Sequence, residues 1–310
     1  MTITRSAIAA VHRRIAPFVR KTPVLDIAMP GVAQPVTLKL EYLQLTGSFK
    51  ARGAFATLTG EPLPPAGVAA ASGGNHGIAV ACAAQALGVP AHIFVPAIAT
   101  PAKIDRIRSY GANVTVGGAA YAEAAAACDA FIAESGALGV HAYDALPTVL
   151  GQGTVAAELE EQANDLDTIL VATGGGGLIA GIASWYGGSH QVVAVEPETC
   201  ATASAALLHG GPVDIVPSGV AADSLGASRL GEIAYEALAK AQALSVLVTD
   251  NEIRAAQGWL WNNARIVSEP GGATAFAALL SGRYAPEANE RVAAIVCGAN
   301  VDPATFATVL

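Results

Sequence analysis

The chain is poor in charge and in cysteine, and each shortage excludes something. Charged residues make up 14% of its 310 positions, and 25 acidic residues face 17 basic ones, for a net charge of −8. A nucleic-acid partner normally requires a basic footprint, so that role is not expected. The short grouping Lys103, Arg106 and Arg108 reads as one solvated helix face. The four cysteines, Cys82, Cys128, Cys200 and Cys297, form no CxxC pair. That argues against a zinc site or a redox motif and fits a reducing compartment. Long apolar runs are missing too. A membrane span needs about eighteen uninterrupted apolar residues, and the longest candidate, 69–99, is broken by Gly73, Gly74, Asn75, His76 and Pro90. Arg5, His12, Arg13, Arg14 and Arg20 precede any apolar run, so no secretory leader is expected. The protein reads as cytoplasmic.

What is abundant is small and apolar: 53% of the chain is hydrophobic, much of it alanine, with 33 glycines. Such a composition predicts closely packed helices on a buried sheet. From Val68 onward short apolar runs alternate with helical patterns, the signature of a parallel α/β sheet. Strands are predicted at Val36–Leu40, Val68–Ala71, Ala91–Val95, Val114–Val116, Thr168–Ala172, Val192–Val195, Ser245–Val248 and Arg291–Cys297. Helices are predicted at Asn75–Leu87, Pro101–Tyr110, Tyr121–Ser135, Thr148–Gln162 and Gly177–Trp185, with Asp250 as the N-cap of another. The Pro-rich stretch 61–65 is the best boundary. Four strands between it and about Asp144 are enough for a small sub-domain inserted in a larger one.

Four segments carry chemistry. In Thr46-Gly47-Ser48-Phe49-Lys50-Ala51-Arg52-Gly53-Ala54 the lysine is flanked by Phe49 and small residues. Taken alone it is a surface residue. Against apolar surface its amine would have a lowered pKa, as a nucleophilic lysine requires. Ser72-Gly73-Gly74-Asn75-His76-Gly77 sits where a strand hands over to a helix, so its backbone N–H groups suit a carboxylate or phosphate, though a plain turn capped by Asn75 reads equally well. In Thr173-Gly174-Gly175-Gly176-Gly177-Leu178 four successive glycines let backbone amides close around an anion. A dinucleotide fingerprint competes here: Gly175, Gly177 and Ala180 fit GxGxxA, and Glu196 ends the next strand, which would suggest an NAD-dependent dehydrogenase. That reading leaves Lys50 and Asn75 without a role. Cys297-Gly298-Ala299-Asn300 alone would be a core cysteine before a turn.

Taken together, the four segments resemble the serine/threonine dehydratase group of pyridoxal-phosphate enzymes, a branch of the tryptophan-synthase-β-like fold (fold type II). The SFKxRGA, SxGNHG, GGGGL and CGAN segments stand in the family's order over nearly the whole chain. The resemblance implies an α/β protein of two open αβα domains with mainly parallel sheets. Residues 1–66 and 145–310 would form the large, cofactor-binding domain and 67–144 the small one. It implies pyridoxal 5'-phosphate as cofactor, a small amino acid as substrate and a homodimer.

By the same resemblance Lys50 carries the cofactor and moves the Cα proton, Phe49 packs on the ring, and Asn75 bonds the ring hydroxyl. Ser72, Gly73, Asn75 and His76 hold the substrate carboxylate. Gly174, Gly175, Gly176, Gly177 and Leu178 bind the phosphate, Glu269 is an acidic group near the ring, and Cys297 faces the pyridine nitrogen. A neutral thiol there leaves that nitrogen unprotonated, which disfavours a long-lived carbanion and suits rapid loss of a β leaving group. The expected activity is an ammonia-lyase, turning L-serine, L-threonine or a similar β-hydroxy amino acid into a 2-oxo acid and ammonia. A β-replacement synthase and an amino-acid racemase are the alternatives within the family, and a non-catalytic binding protein has no use for Lys50. The related racemases carry a serine as second base where this chain has Gly73. The family's cation site is not expected: Glu196 matches its first acidic ligand, but Thr202 stands at the second. With the chain ending at Leu310, the regulatory domain of allosteric threonine dehydratases is not expected.

Overall fold

A computed structural model of the chain describes residues 3–118 and 121–310. Among the described residues ten strands, named in chain order, fall into two sheets. The larger has the order β1 (Val24–Ile27), β2 (Val36–Lys39), β10 (Val292–Ile295), β7 (Thr168–Ala172), β8 (Gln191–Pro197), β9 (Leu244–Val248). The smaller runs β5 (Asn113–Val116), β4 (Ala91–Val95), β3 (Val68–Ala71), β6 (Leu138–Gly139). All pairings are parallel except β1 with β2. β7 and β10 are buried at every position, as continuous apolar strands covered by helices on both faces should be.

The helices follow as α1 (Arg5–Ile15), α2 (Lys50–Leu58), α3 (Asn75–Leu87), α4 (Pro101–Arg108), α5 (Tyr121–Ser135), α6 (Leu146–Gln162), α7 (Gly177–Tyr186), α8 (Thr202–His209), α9 (Ala222–Leu225), α10 (Glu232–Lys240), α11 (Asp250–Ala264), α12 (Pro270–Leu280) and α13 (Pro303–Ala307). The small-residue composition is used where helices cross. A Cβ at Gly151 of α6 would lie 2.7 Å from the Cα of Gly53 on α2, an approach that no larger residue allows.

Every strand given bounds from the sequence is present, within two residues at each end. β1 was not anticipated, because its four residues enclose Asp26 and show no alternation. The fourth strand of the smaller sheet is only Leu138–Gly139. Asp250 is not the N-cap. Thr249 is: its Oγ1 accepts from the Glu252 N–H at 3.2 Å, and Glu252 Oε2 accepts from the Thr249 N–H at 2.6 Å. That reciprocal capping box outcompetes a single aspartate, and Asp250 instead accepts from the Val220 N–H.

Two features place the site. The larger sheet reverses winding between β10 and β7: the chain leaves β7 toward β8 and β9, then returns to insert β10 on the other side. Loops at the C-terminal ends of these neighbours diverge and open a crevice. The second feature is a buried ion network that pins α2. Arg52 donates to both oxygens of Glu41 and both of Glu158, each at 2.8 Å, and Lys39 Nζ donates to Glu158 at 2.9 Å. All four side chains are buried. Two cations neutralise two carboxylates, so burial leaves no unpaired charge.

Candidate active site

At the C-terminal ends of β7 and β10 lies a small cavity. Its walls include Phe49, Lys50, Asn75, the loop Gly174–Gly177, Leu178, Glu269 and Cys297, which are all ten residues assigned to the cofactor from the sequence. The segments converge through the backbone. The Phe49 N–H donates to the Cys297 carbonyl at 3.1 Å, the Glu269 N–H to that of Gly298 at 3.1 Å, and Ser48 forms an antiparallel bridge with Gly298.

Lys50 opens α2 with its Nζ in the cavity wall, donating to the Ala142 carbonyl at 2.8 Å. Burial brings its pKa down to about 8, partly offset by the neighbouring Cys297 and Glu269. An amine so placed gives up its proton near neutral pH and becomes a nucleophile and a base. Burial acts the other way on the acids. It pushes the Cys297 thiol far up, so that sulfur stays protonated and donates to the Gly271 carbonyl at 3.4 Å. It raises Glu269 to about 7, against the Asn75 amide, which donates to Oε1 at 2.6 Å.

The glycine loop joins β7 to α7, and the Tyr143 ring sits where a Cβ on Gly175 would have to be. Gly176, at φ 86°, occupies the left-handed region open to glycine. No side chain caps α7, so its first-turn N–H groups and the positive end of its dipole face the cavity loop.

Three residues assigned to substrate binding do not line the cavity. The His76 imidazole is buried, and its Nε2 lies 2.8 Å from the Val140 carbonyl; a carbonyl only accepts, so that nitrogen carries the proton. Burial lowers its pKa to about 3, which keeps it neutral. The Ser72 hydroxyl accepts from the Gly74 N–H at 3.2 Å. Gly73 faces β4, where an added Cβ would lie 2.7 Å from that of Ala99. Conversely, Tyr143, Ser224 and Leu225 line the cavity without having been anticipated. They come from connecting segments with no motif, and only the three-dimensional path of the chain brings them there.

Two further readings are corrected. Lys103, Arg106 and Arg108 are only partly a solvated face: Arg106 and Arg108 are both exposed, Arg106 donating to Asn300 Oδ1 at 2.7 Å, while Lys103 is half-buried and pairs with Asp223. The pairing with Asp223 draws Lys103 inward. Glu196 is not free to bind a ribose. It is fully buried and accepts from the N–H groups of Ala203 and Ser204, at 2.7 and 2.8 Å, in the first turn of α8. Thr202 joins this cap and donates to the Gly174 carbonyl at 2.5 Å, holding the glycine loop from behind.

The sequence profile of the family described as "Pyridoxal-phosphate dependent enzyme" matches residues 15–298. The chain belongs to this family. It is 39% identical to the phenylserine dehydratase of Ralstonia pickettii, over 97% of this chain and 94% of that one. Among solved structures it superposes on maize serine racemase with a TM-score of 0.93 at 30% identity, covering 99% of this chain and 97% of that one. A threonine deaminase from T.th. gives a TM-score of 0.89 at 32% identity, covering 97% and 99%. The enzyme therefore has the fold type II architecture, and its cofactor is pyridoxal phosphate, not a nicotinamide. The cavity fits that group: it offers one buried amine with a loosened proton, a phenyl ring beside it, uncapped amides at a helix N-terminus and a neutral thiol.

Proposed function

We propose that the enzyme is an ammonia-lyase that removes water from L-serine, L-threonine or a similar β-hydroxy amino acid and releases a 2-oxo acid and ammonia. The observation that carries this reading is the Lys50 amine, set in the cavity with its pKa brought down to about 8 beside a thiol held neutral. Bound pyridoxal phosphate supplies an electron sink for negative charge at the substrate Cα. Lys50 would hold the cofactor and, once the substrate amine has taken its place there, take the Cα proton on Nζ. Phe49 would pack against the ring, and the Asn75 amide would reach its hydroxyl. The N–H groups at the start of α7 would bind the phosphate. The loop at Ser72 and Gly73 and the first turn of α3 hold the substrate carboxylate through backbone N–H groups. Cys297 would turn its S–H from the Gly271 carbonyl to the pyridine nitrogen and supply no charge to it. The Cβ–O bond would then break, the hydroxyl leaving as water with a proton equivalent to the one taken from Cα, and a water molecule would hydrolyse the released enamine to the 2-oxo acid and ammonia.

The similarity to a phenylserine dehydratase supports a β-hydroxy substrate and keeps a β-aryl side chain within the class. Residues 1–66 with 145–310 and residues 67–144 would form the two domains, which accords with the larger sheet's strands lying in the first two ranges and the smaller sheet's in the third. A cytoplasmic place in amino-acid breakdown accords with four cysteines that are all free. The test is to supply the purified enzyme with L-serine, L-threonine and L-3-phenylserine and to measure 2-oxo acid and ammonia. Equal amounts of both from at least one substrate, lost in Lys50→Ala, are expected. Ammonia-free conversion, or turnover only with an added thiol or amine nucleophile, would favour a β-replacement synthase.

A further inference from the structure

Four side chains form a directed chain of hydrogen bonds from α4 into the cavity wall. Arg106 Nη1 donates to Asn300 Oδ1 at 2.7 Å, Asn300 Nδ2 donates to Asn75 Oδ1 at 2.6 Å, and Asn75 Nδ2 donates to Glu269 Oε1 at 2.6 Å. The direction is dictated by one end. A guanidinium has donors and no acceptor, so Asn300 must turn its oxygen toward Arg106 and its nitrogen away. That nitrogen also donates to the Thr46 carbonyl at 2.8 Å, and Arg106 Nη2 reaches the same carbonyl at 3.2 Å. Thr46 holds a left-handed backbone, φ 66°, costly for a β-branched residue and stabilised by these donors. It stands four residues before Lys50. Asn300 packs closely on this turn: a Cβ on Gly47 would lie 2.6 Å from its Oδ1.

We propose that Arg106 is a positioning residue that, through Asn300, sets the Asn75 amide with its nitrogen toward Glu269 and the cavity and holds the Thr46–Lys50 turn. The cavity face of Asn75 is then a donor, as a ring hydroxylate requires. The seating of α4 is thereby linked to the shape of the cofactor site. This rests on Asn75 lying beside the bound cofactor.

The test is a double-mutant cycle on cofactor affinity, measured by titrating apoprotein with pyridoxal phosphate. Loss of a charge-assisted hydrogen bond predicts about tenfold weaker binding for Arg106→Met, with Arg106→Lys recovering part of it. If Arg106 acts through Asn300, the same substitution in an Asn300→Ala background costs less than about twofold. The side-chain amide protons of Asn75, followed by NMR in apoprotein, should exchange faster in Arg106→Met. That second readout separates the relay from the cofactor assignment, because it needs no ligand. Equal losses in both backgrounds, no loss for Arg106→Met, or unchanged Asn75 exchange would overturn the proposal.

Discussion

Lys50 and Arg52 stand two residues apart at the start of α2, yet one lines the cavity and the other lies in the protein interior. The guanidinium holds Glu41 and Glu158 with bonds at 2.8 Å, so the orientation of the reactive amine depends on an ion network it does not touch. Arg52→Met leaves two buried carboxylates with one lysine between them. It should cost about 3–5 kcal/mol in chemical denaturation, whereas Lys50→Ala should leave the apoprotein's stability nearly unchanged. Equal stability of Arg52→Met and wild type would mean that the network does not pin α2.

Gly73 bears on the choice between elimination and racemisation. A serine there would meet the Ala99 Cβ at 2.7 Å and the Val95 Cγ1 at 3.0 Å, so a single Gly73→Ser exchange should distort the loop and lower turnover. The pair Gly73→Ser with Ala99→Gly relieves the nearer contact and should gain D-serine formation. Chiral chromatography of products from L-serine checks this. Wild-type enzyme that makes D-serine as fast as pyruvate would contradict the lyase assignment.

Cys297 tests the electronic part of the mechanism. Cys297→Ser keeps a neutral hydrogen-bonding group at the same place and should retain most activity. Cys297→Asp puts a carboxylate near Glu269 and Lys50, whose charges already act on the thiol. If it folds, its ionised form favours a protonated ring and should shift the product ratio toward transamination. Thermal melts and product ratios of the two variants separate the outcomes, and a folded, cofactor-loaded Asp variant with an unaltered ratio would remove Cys297 from the mechanism.

The four motifs were legible because each depends on residues close in sequence: a lysine among small residues, a glycine loop after a strand, a cysteine at a strand end. Strand existence was legible for the same reason, since β7, β8 and β10 are buried on both faces and read as apolar runs. What escaped was long-range. Nothing near Arg106 signals that it reaches Asn300, 194 residues away, and nothing near Tyr143 signals that it covers Gly175. Arg52 was visible in its motif, but its partners Glu41 and Glu158 sit in unremarkable surroundings. A buried charge cannot be told from an exposed one until the fold supplies its partner.

Two carboxyls predict a pH dependence. Burial raises Glu196 and Glu269 from 4.5 to about 7 in the folded protein. A carboxyl that binds its proton more tightly folded than unfolded favours folding at low pH, and this contribution is lost as pH rises from 4.5 through about 7. Glu196→Gln cannot titrate there, so its apoprotein should show a shallower decline of unfolding free energy with pH across that window. Parallel curves for variant and wild type would mean that Glu196 ionises normally within the α8 cap.

The assignment of Lys50 is the centre of the account, and one measurement addresses it directly. Purified enzyme loaded with pyridoxal phosphate is reduced with borohydride, digested, and its peptides sequenced by mass spectrometry. The mass of the reduced cofactor should appear on Lys50, in the peptide that contains Phe49. An adduct on Lys39 or Lys103, or the same labelling in Lys50→Ala, would contradict the account.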